Sequence, residues 1–308
     1  MREFASPLVR GFVARPPAPV YSRRFQREGR YIVVTSTPVD LPSLTRRVRE
    51  HVLRMVYGAQ SGHIGGSFSA ADIMAVLYTE VLRHDPQRPD WPQRDRFIMS
   101  KGHCTPVQYA ILAEMGYFPV EELSTFRKKG TRLQGHSVLG KPGGVDNTAG
   151  SLGMGLSFGL GIQLGARLRG DAIHTYVLMG DGEQAEGQVW EAAMAAAYHK
   201  VEGLVAIIDR NKIQNDDFVA NQMVSEPLAE KYRAFGWAVR EGLDGHDFAQ
   251  IADGLRWARD VQGQPACVIF DTVKGKGVSF MENNPGFHGA APSADQMAAA
   301  LQELGVAP

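Results

Sequence analysis

The sequence is poor in the features that mark secreted, membrane-spanning and nucleic-acid-binding proteins. It has two cysteines, Cys104 and Cys267, too few and too far apart for a disulfide framework or a cysteine zinc site. We therefore expect a reducing compartment, the cytoplasm. No apolar run approaches the roughly 20 residues that a membrane helix needs, so we expect no membrane contact. Basic and acidic residues number 33 each, and this balance argues against a nucleic-acid partner.

Several motifs of common cofactor and metal sites are also missing. No GxxxxGK[ST] occurs, which argues against a P-loop nucleotidase. The glycine-rich segments within residues 150–165 neither give GxGxxG nor follow a strand-like run, which argues against a Rossmann oxidoreductase. Without HExxH or CxxC, a histidine-rich zinc site is a weak alternative.

Composition divides the chain into two parts. Residues 1–40 hold seven arginines, no lysine and only three acids, together with the cluster of Pro16, Pro17 and Pro19. We expect a flexible or partner-clasping extension there, with an organelle transit peptide as the alternative. In residues 41–308, apolar strand-like runs alternate with helical periods. That alternation predicts one α/β domain of three layers, a mostly parallel sheet with helices on both faces.

Local patterns predict individual elements of this domain. A helix is expected after Asp40, its cap, with an apolar stripe that includes Leu44, Val48 and Val52. A glycine-rich loop over residues 58–66 should end it, and a buried helix should follow over residues 69–82. Strands are predicted over residues 97–100, 175–179, 204–208 and 266–273, and residues 212–217 read as a polar loop. Residues 126–155 lack periodicity, which is uncommon unless a segment binds something.

The stretch from Gly180 to Asn211 carries the clearest chemistry. It starts where one apolar run ends and closes where the next ends, so both ends should reach the same edge of a parallel sheet. Gly180 and Gly182 allow close backbone approach, and Asp181 and Asn211 offer oxygen ligands. Mg²⁺ prefers such oxygens together with phosphates and water. The stretch therefore predicts a site for a metal-bound diphosphate.

Four of the nine histidines lie in glycine-bearing loops at predicted element ends: His63, His103, His136 and His288. We expect them to share a polar pocket, where imidazoles can transfer protons and bind phosphate or sugar hydroxyls. The remaining five are expected to be structural or superficial: His51, His84, His174, His199 and His246.

Taken together, these motifs resemble the diphosphate-binding domain of the transketolase family, which are thiamine-diphosphate enzymes. The resemblance covers about residues 45–292. It rests on seven motifs in order: SGHIGGSFSAADI, SKGH, the GH at 135–136, TAGSLGMGLSFGLG, GDGEQAEGQVWEA, DRNKIQ and FHG.

The resemblance implies roles for particular residues. Mg²⁺ would take side-chain ligands from Asp181 and Asn211, and the carbonyl of Ile213. Several residues would contact thiamine diphosphate: His103, Gly150, Ser151, Leu152, Gly182, Asn211 and His288. Three histidines would face the reacting sugar: His63, His136 and His288. Two glutamates, Glu186 and Glu191, would lie where active sites communicate across a subunit interface, with a solvated helix face as the alternative. Lys274 and Lys276 would either assist phosphate binding or lie on a surface loop.

Full-length members of the family continue with a pyrimidine-binding domain, which supplies the glutamate that activates the cofactor, and a C-terminal domain. This sequence stops at Pro308. The resemblance therefore implies the N-terminal subunit of a split transketolase, completed by a second polypeptide, with an α₂β₂ assembly expected. Together they would transfer a two-carbon ketol unit from a ketose or its phosphate to an aldose or its phosphate.

Three alternatives stay open at this point. A 1-deoxyxylulose-5-phosphate synthase has KGKG and FHG in similar places, although Glu186 and the GH of QGHS look more like transketolase. The α-subunit of a 2-oxo-acid dehydrogenase is less well matched, because DRN here lacks the paired asparagines usual there. A non-catalytic regulatory subunit could also have kept the fold.

Overall fold

The computed structural model describes residues 39–306. Most of the expected extension over residues 1–40 lies outside the described residues, so that boundary stays a prediction. In the described part of the chain, no helix combines the length and apolar character of a membrane span.

Five strands form the central sheet: β1 (Arg96–Met99), β2 (Thr175–Gly180), β3 (Leu204–Arg210), β6 (Ala238–Asp244) and β7 (Ala266–Asp271). Their order across the sheet is β1–β2–β3–β7–β6, and every neighbouring pair is parallel. Because all five run the same way, their carboxyl ends share one edge. A separate antiparallel hairpin, β4 (Ile213–Gln214) and β5 (Asp217–Phe218), follows β3 within the segment expected to be a polar loop.

Helices pack on both faces of the sheet. The described helices are α1 (Leu41–Ala59), α2 (Ile64–Val76), α3 (Thr105–Glu114), α4 (Gly155–Arg169), α5 (Gly187–Tyr198), α6 (Val219–Gln222), α7 (Leu228–Ala234), α8 (Phe248–Asp260) and α9 (Ala294–Glu303). Alternate residues along each strand point to opposite faces. On β2, Tyr176 and Leu178 join the core formed with α1, α2, α3, α8 and α9, whereas Val177 and Met179 join the core formed with α4, α5 and α7. The three-layer α/β prediction is confirmed.

The first helix begins as its sequence predicts, but the second begins earlier. Asp40 accepts a hydrogen bond from the Ser43 amide and caps α1. Helix α2 starts at Ile64, not near residue 69, and ends in a π-helical turn, Leu77–Val81. Its early glycines permit close packing: a Cβ on Gly66 would lie 2.8 Å from the Cys104 sulfur. Helix α1 ends at Ala59, inside the predicted loop, but Gly65 and Gly66 of that loop are contact points inside α2, and His63 is the N-cap residue of α2.

The predicted non-periodic segment is confirmed as irregular. Residues 126–154 form turns and a single isolated bridge between Val138 and Lys141, with neither helix nor strand. This loop leads into α4, whose Gly159 approaches the sheet so closely that a Cβ would lie 2.5 Å from Val177. Helix α4 is thereby held against β2, and the loop before it is held near the carboxyl edge.

Candidate functional site

The carboxyl edge of the sheet gathers polar side chains from neighbouring strands. In the β2–β3 register Gly180 lies opposite Asp209, and in the β3–β7 register Arg210 lies opposite Asp271. Asp181 follows β2 directly, Asn211 follows β3, and both are buried. As expected from parallel pairing, the two ends of the Gly180–Asn211 stretch meet at one edge.

Asp209, the penultimate residue of β3, is fully buried and fully paired. It forms an ion pair with Lys101 and accepts hydrogen bonds from the hydroxyls of Ser69, at 2.6 Å, and Thr272. Burial acts to raise the pKa of this carboxyl, but Lys101 and the hydroxyl donors outweigh it and hold the pKa below its ordinary value. This cluster is a charge-balanced anchor that joins the turn after β1, α2, β3 and the residue after β7.

Asp181 lies on the adjacent strand end and has no such cation. Its carboxylate accepts hydrogen bonds from the amides of Gly182, at 2.9 Å, and Lys212, at 2.6 Å. None of the basic side chains in residues 39–306 forms an ion pair with it. Burial, and then the charge of Asp209, raise its pKa to about 6. A buried carboxylate without an ion-pair partner is stabilised by a cation beside it.

Two further oxygen ligands come from the segment after β3. The Asn211 amide nitrogen donates to Asp209 Oδ2 at 3.2 Å, which turns its Oδ1 toward the Ile213 amide, also at 3.2 Å. The Ile213 carbonyl accepts from Lys274 Nζ at 3.0 Å. Among the described residues, no group of three or more His, Cys, Asp or Glu side chains could hold a metal. A cation here would therefore rely on one carboxylate with amide and carbonyl oxygens, a set suited to Mg²⁺.

Beside this edge lies a cavity of about 190 Å³ that brings the four loop histidines together. Its lining comprises His63, Ser100, Gly102, His103, His136, Gly150, Leu152, Asn215 and His288. Three of the imidazoles form a triangle, with ring centroids 4.9 Å apart for His63–His103, 5.2 Å for His63–His288 and 5.3 Å for His103–His288. His136 lies in the more exposed part of the lining.

Burial keeps these histidines neutral at pH 7. Desolvation, followed by the charge of Arg127, lowers the pKa of His63 to about 4. Desolvation and Lys274 lower the pKa of His288 to about 3, and the pKa of His103 lies well below its ordinary value for the same main reason. The Nδ1 atom of His63 is buried without a hydrogen-bond partner in the described chain. Such an atom is a ready contact for a polar ligand.

Lys274 connects the oxygen ligands to the histidine triangle. Its Nζ lies 3.0 Å from the Ile213 carbonyl and 2.6 Å from His288 Nδ1. The side chain is buried rather than on a surface loop, and burial lowers its pKa to about 8. Lys276, by contrast, is partly exposed and pairs with Glu282 at 3.6 Å. Of the two lysines, Lys274 alone lies at this site.

The remaining predicted contacts divide between the cavity and the surface. Gly150 and Leu152 line the cavity, while Ser151 is exposed and outside the lining. Gly182 lies against the neighbouring hairpin, since a Cβ there would be 2.5 Å from the Gln214 side chain. This close approach explains why the position lacks a side chain.

The two glutamates expected at a subunit interface lie at the start of α5, with the Glu186 side chain against Gly153. Glu186 precedes α5 as its N-cap residue, Glu191 lies one turn into that helix, and both are exposed. Neither lines the pocket. Their proposed interface role stays a prediction.

The structure also places residues in the site that sequence reasoning missed. Asn215 lines the cavity with a left-handed backbone, φ 44°. Arg127 donates to the Ser61 hydroxyl at 2.9 Å, and its charge lowers the pKa of both His63 and His136. The position of Arg127 in the sequence could have indicated its role, because it falls in the non-periodic segment that was expected to bind something.

Comparison with known proteins identifies the family. Residues 43–308 match the family model described as transketolase, thiamine diphosphate binding domain. The chain belongs to the transketolase family. Its sheet and helices superpose on a transketolase from Leishmania mexicana with a TM-score of 0.83 and 32% identity, covering 88% of this chain and 42% of that one.

Relatives within the transketolase family differ in length. The chain is 39% identical to the 6-deoxy-6-sulfo-D-fructose transketolase subunit SqwG of Clostridium, covering 86% of this chain and 96% of that protein. It is 40% identical to one subunit of the apulose-4-phosphate transketolase of Phocaeicola vulgatus, covering 83% of this chain and 90% of that subunit. It is 35% identical to the transketolase of Homo sapiens, covering 86% of this chain but 42% of that protein.

Proposed function

We propose that this chain binds thiamine diphosphate with Mg²⁺ and acts as the N-terminal subunit of a two-subunit transketolase. The proposed reaction transfers a two-carbon ketol unit from a ketose or its phosphate to an aldose or its phosphate. One observation carries the proposal: the buried Asp181 forms no ion pair with any described residue and lies in one polar cluster with the Asn211 and Ile213 oxygens. Lys274 joins that cluster to the histidine-lined cavity.

The residues at the edge fit a metal diphosphate. Asp181, Asn211 and the Ile213 carbonyl would hold Mg²⁺, and its charge would offset the buried carboxylate. The Gly182 backbone, His103 and Lys274 would contact the phosphates, and the segment Gly150–Leu152 would lie along the thiamine. When bound, thiamine diphosphate supplies the carbon nucleophile that carries the two-carbon unit.

The histidines would orient the sugar. Because His63 and His136 are neutral at pH 7, each can donate a hydrogen bond through one ring nitrogen and accept one through the other, whereas His288, whose Nδ1 faces Lys274, can donate through Nε2. This suits a substrate rich in hydroxyl and carbonyl groups, which needs both donors and acceptors. The Nδ1 atom of His63, which has no hydrogen-bond partner in the described part of the chain, is one such contact.

A second polypeptide would complete the enzyme. The relatives that this chain covers almost completely are named as subunits, whereas the chain spans 42% of the human transketolase. We therefore propose a partner that carries the pyrimidine-binding domain, in an α₂β₂ assembly in the cytoplasm. The two subunit relatives are named for a sulfonated and a phosphorylated ketose, which supports an anionic ketose as the donor here.

The test is to purify this chain with the product of a neighbouring reading frame that encodes a pyrimidine-binding domain. Calorimetry should detect Mg²⁺-dependent binding of thiamine diphosphate by the pair, and ketol transfer should require both chains. Strong transferase activity from this chain alone would overturn the split arrangement. No cofactor binding by the pair would favour the regulatory subunit.

Donor assays distinguish the remaining enzyme alternative. We expect ketose donors to be used with aldose acceptors. Product formation from pyruvate and glyceraldehyde 3-phosphate, but not from ketoses, would instead indicate a 1-deoxyxylulose-5-phosphate synthase.

A further inference from the structure

A buried glutamate next to the site ties together three separate segments of the chain. Glu183 is 3% exposed and lies in the 3₁₀ turn that follows Asp181. Its Oε1 accepts hydrogen bonds from the Ser100 hydroxyl and from the Gly153 amide, the latter at 3.0 Å. Its Oε2 accepts from the Gly180 amide, also at 3.0 Å. One carboxylate therefore joins the ends of β1 and β2 to the loop before α4.

Ser100 extends this connection to the start of α4. Its hydroxyl donates to Glu183 and accepts from the Gly155 amide at 3.1 Å. The packing is close, since a Cβ on Gly155 would lie 2.2 Å from the Ser100 hydroxyl oxygen. Glu183 thus holds the first turn of α4 through one intermediate side chain.

Each joined segment continues directly into the site. Ser100 lines the cavity and is followed by Gly102 and His103, and Gly153 follows the Gly150–Leu152 segment. Gly180 precedes Asp181. Both carboxylate oxygens of Glu183 already accept hydrogen bonds from these segments. Glu183 therefore acts on the backbone of the site and not on a ligand.

We propose that Glu183 is a positioning residue that fixes the Gly150–Leu152 segment against the ends of β1 and β2, and so sets the shape of the cofactor cavity. The anchoring follows from contacts within this chain. Its consequence for thiamine diphosphate rests on the proposed function.

Glu183→Gln is the sharpest variant, because glutamine has nearly the same size. Its amide has one acceptor oxygen and one donor nitrogen, whereas the site offers N–H or O–H donors to both positions. Either the Gly180 amide or the Ser100–Gly153 pair must then face another donor. Ser100→Ala removes one of these donors and the contact to Gly155, and serves as a second variant if the first folds poorly.

A matched control exists at the opposite edge of the sheet. Asp95 is also a buried carboxylate, and it accepts hydrogen bonds from the backbone amides of Arg83, at 2.9 Å, and His174, at 2.8 Å. Asp95→Asn should lower the melting temperature without affecting the site segments.

The first readout is amide hydrogen exchange in the full chain without cofactor. We expect Gly153 and Gly180 to exchange at least tenfold faster in Glu183→Gln than in the original chain, while amides in the middle of β3 keep their protection. Ser100→Ala should raise exchange at Gly155. Unchanged rates at Gly153 and Gly180, or equal acceleration across the whole sheet, would overturn the anchoring.

The second readout is the affinity of the two-chain complex for Mg²⁺ and thiamine diphosphate. We expect Kd to rise at least fivefold in Glu183→Gln and to stay within twofold in Asp95→Asn. Unaltered affinity in Glu183→Gln, with the original complex binding normally, would overturn the positioning role. If the original complex binds no cofactor while Gly153 and Gly180 still lose protection, the proposed function fails and the anchoring stands.

Discussion

Two aspartates at the ends of neighbouring strands have opposite surroundings. Asp209, on β3, has Lys101 beside it and two hydroxyl donors, and its pKa lies below the ordinary value. Asp181, after β2, accepts from two backbone amides and forms no ion pair with a described residue, and its pKa is raised to about 6. The first region is electrostatically complete within the chain. The second is not, and this difference is why we propose the second region as the metal site.

Breaking the Asp209–Lys101 ion pair should strongly destabilise the fold. Lys101→Met leaves the Asp209 charge buried without its partner, and loss of one member of such a pair typically costs about 3–5 kcal/mol. We expect a loss of that size in the free energy of unfolding, measured with guanidinium chloride. Lys129→Met, at an exposed position, should change it by less than about 0.5 kcal/mol. Equal small effects of both variants would contradict the anchor.

The Asp181 carboxyl, which forms no ion pair with a described residue, should make the free energy of unfolding depend on pH. A folded pKa of about 6 against the ordinary 3.8 means that the folded chain holds this proton more tightly. The protonated Asp181 carboxyl therefore adds to the free energy of unfolding below pH 3.8, by about 3 kcal/mol at most. This contribution is lost as the pH rises through 6. In Asp181→Asn this loss should disappear. Unfolding free energies of both chains at pH 4 and pH 7, without metal, test this, and identical pH profiles would refute it.

His63, in the histidine cavity, should give the opposite pH dependence to Asp181, with stability falling as the pH falls. The pKa of His63 is lowered from 6.5 to about 4, so its contribution to stability is present above pH 6.5 and is lost as the pH falls through 4. Because the ring is partly open to water, we expect about 1–2 kcal/mol. His63→Asn should weaken the decline in unfolding free energy between pH 6.5 and pH 4. His199→Asn, at an exposed position, should leave the decline unchanged.

The smallest effect on the chain itself is expected at Glu186. Its side chain is exposed at the start of α5, so Glu186→Gln should change the unfolding free energy by less than about 0.5 kcal/mol. If it lies at a subunit interface, sedimentation should show weaker association of the two-chain complex. Unchanged association would favour the solvated helix face.

The sequence predicted what depends on local pattern and strand order. Hydrophobic periodicity gave the alternating elements, and parallel pairing brought Asp181 and Asn211 to one edge. It could not predict that α2 would begin at Ile64, because the cost of helical glycines is outweighed there by contacts such as that between Gly66 and Cys104. Those contacts come from distant parts of the chain.

Side-chain partners were the least predictable part of the site. Glu183 stands inside the GDGE motif, yet its role depends on amides at Gly153 and Gly180 and on the Ser100 hydroxyl. Nothing in its spacing indicates burial. Likewise, Lys274 could be a surface or a site residue until the structure placed its ammonium between the Ile213 carbonyl and His288.

The triangle of His63, His103 and His288 has a consequence for folding. Its rings come from the start of α2, from the turn after β1 and from the loop between β7 and α9. These contacts join residues far apart in the sequence, so forming them carries the entropic cost of closing very long loops. During synthesis the triangle cannot assemble until residue 288 has emerged, long after His63 and His103. Close contact among these three imidazoles would therefore be a late marker of folding, readable by ring-resolved NMR in a refolding time course.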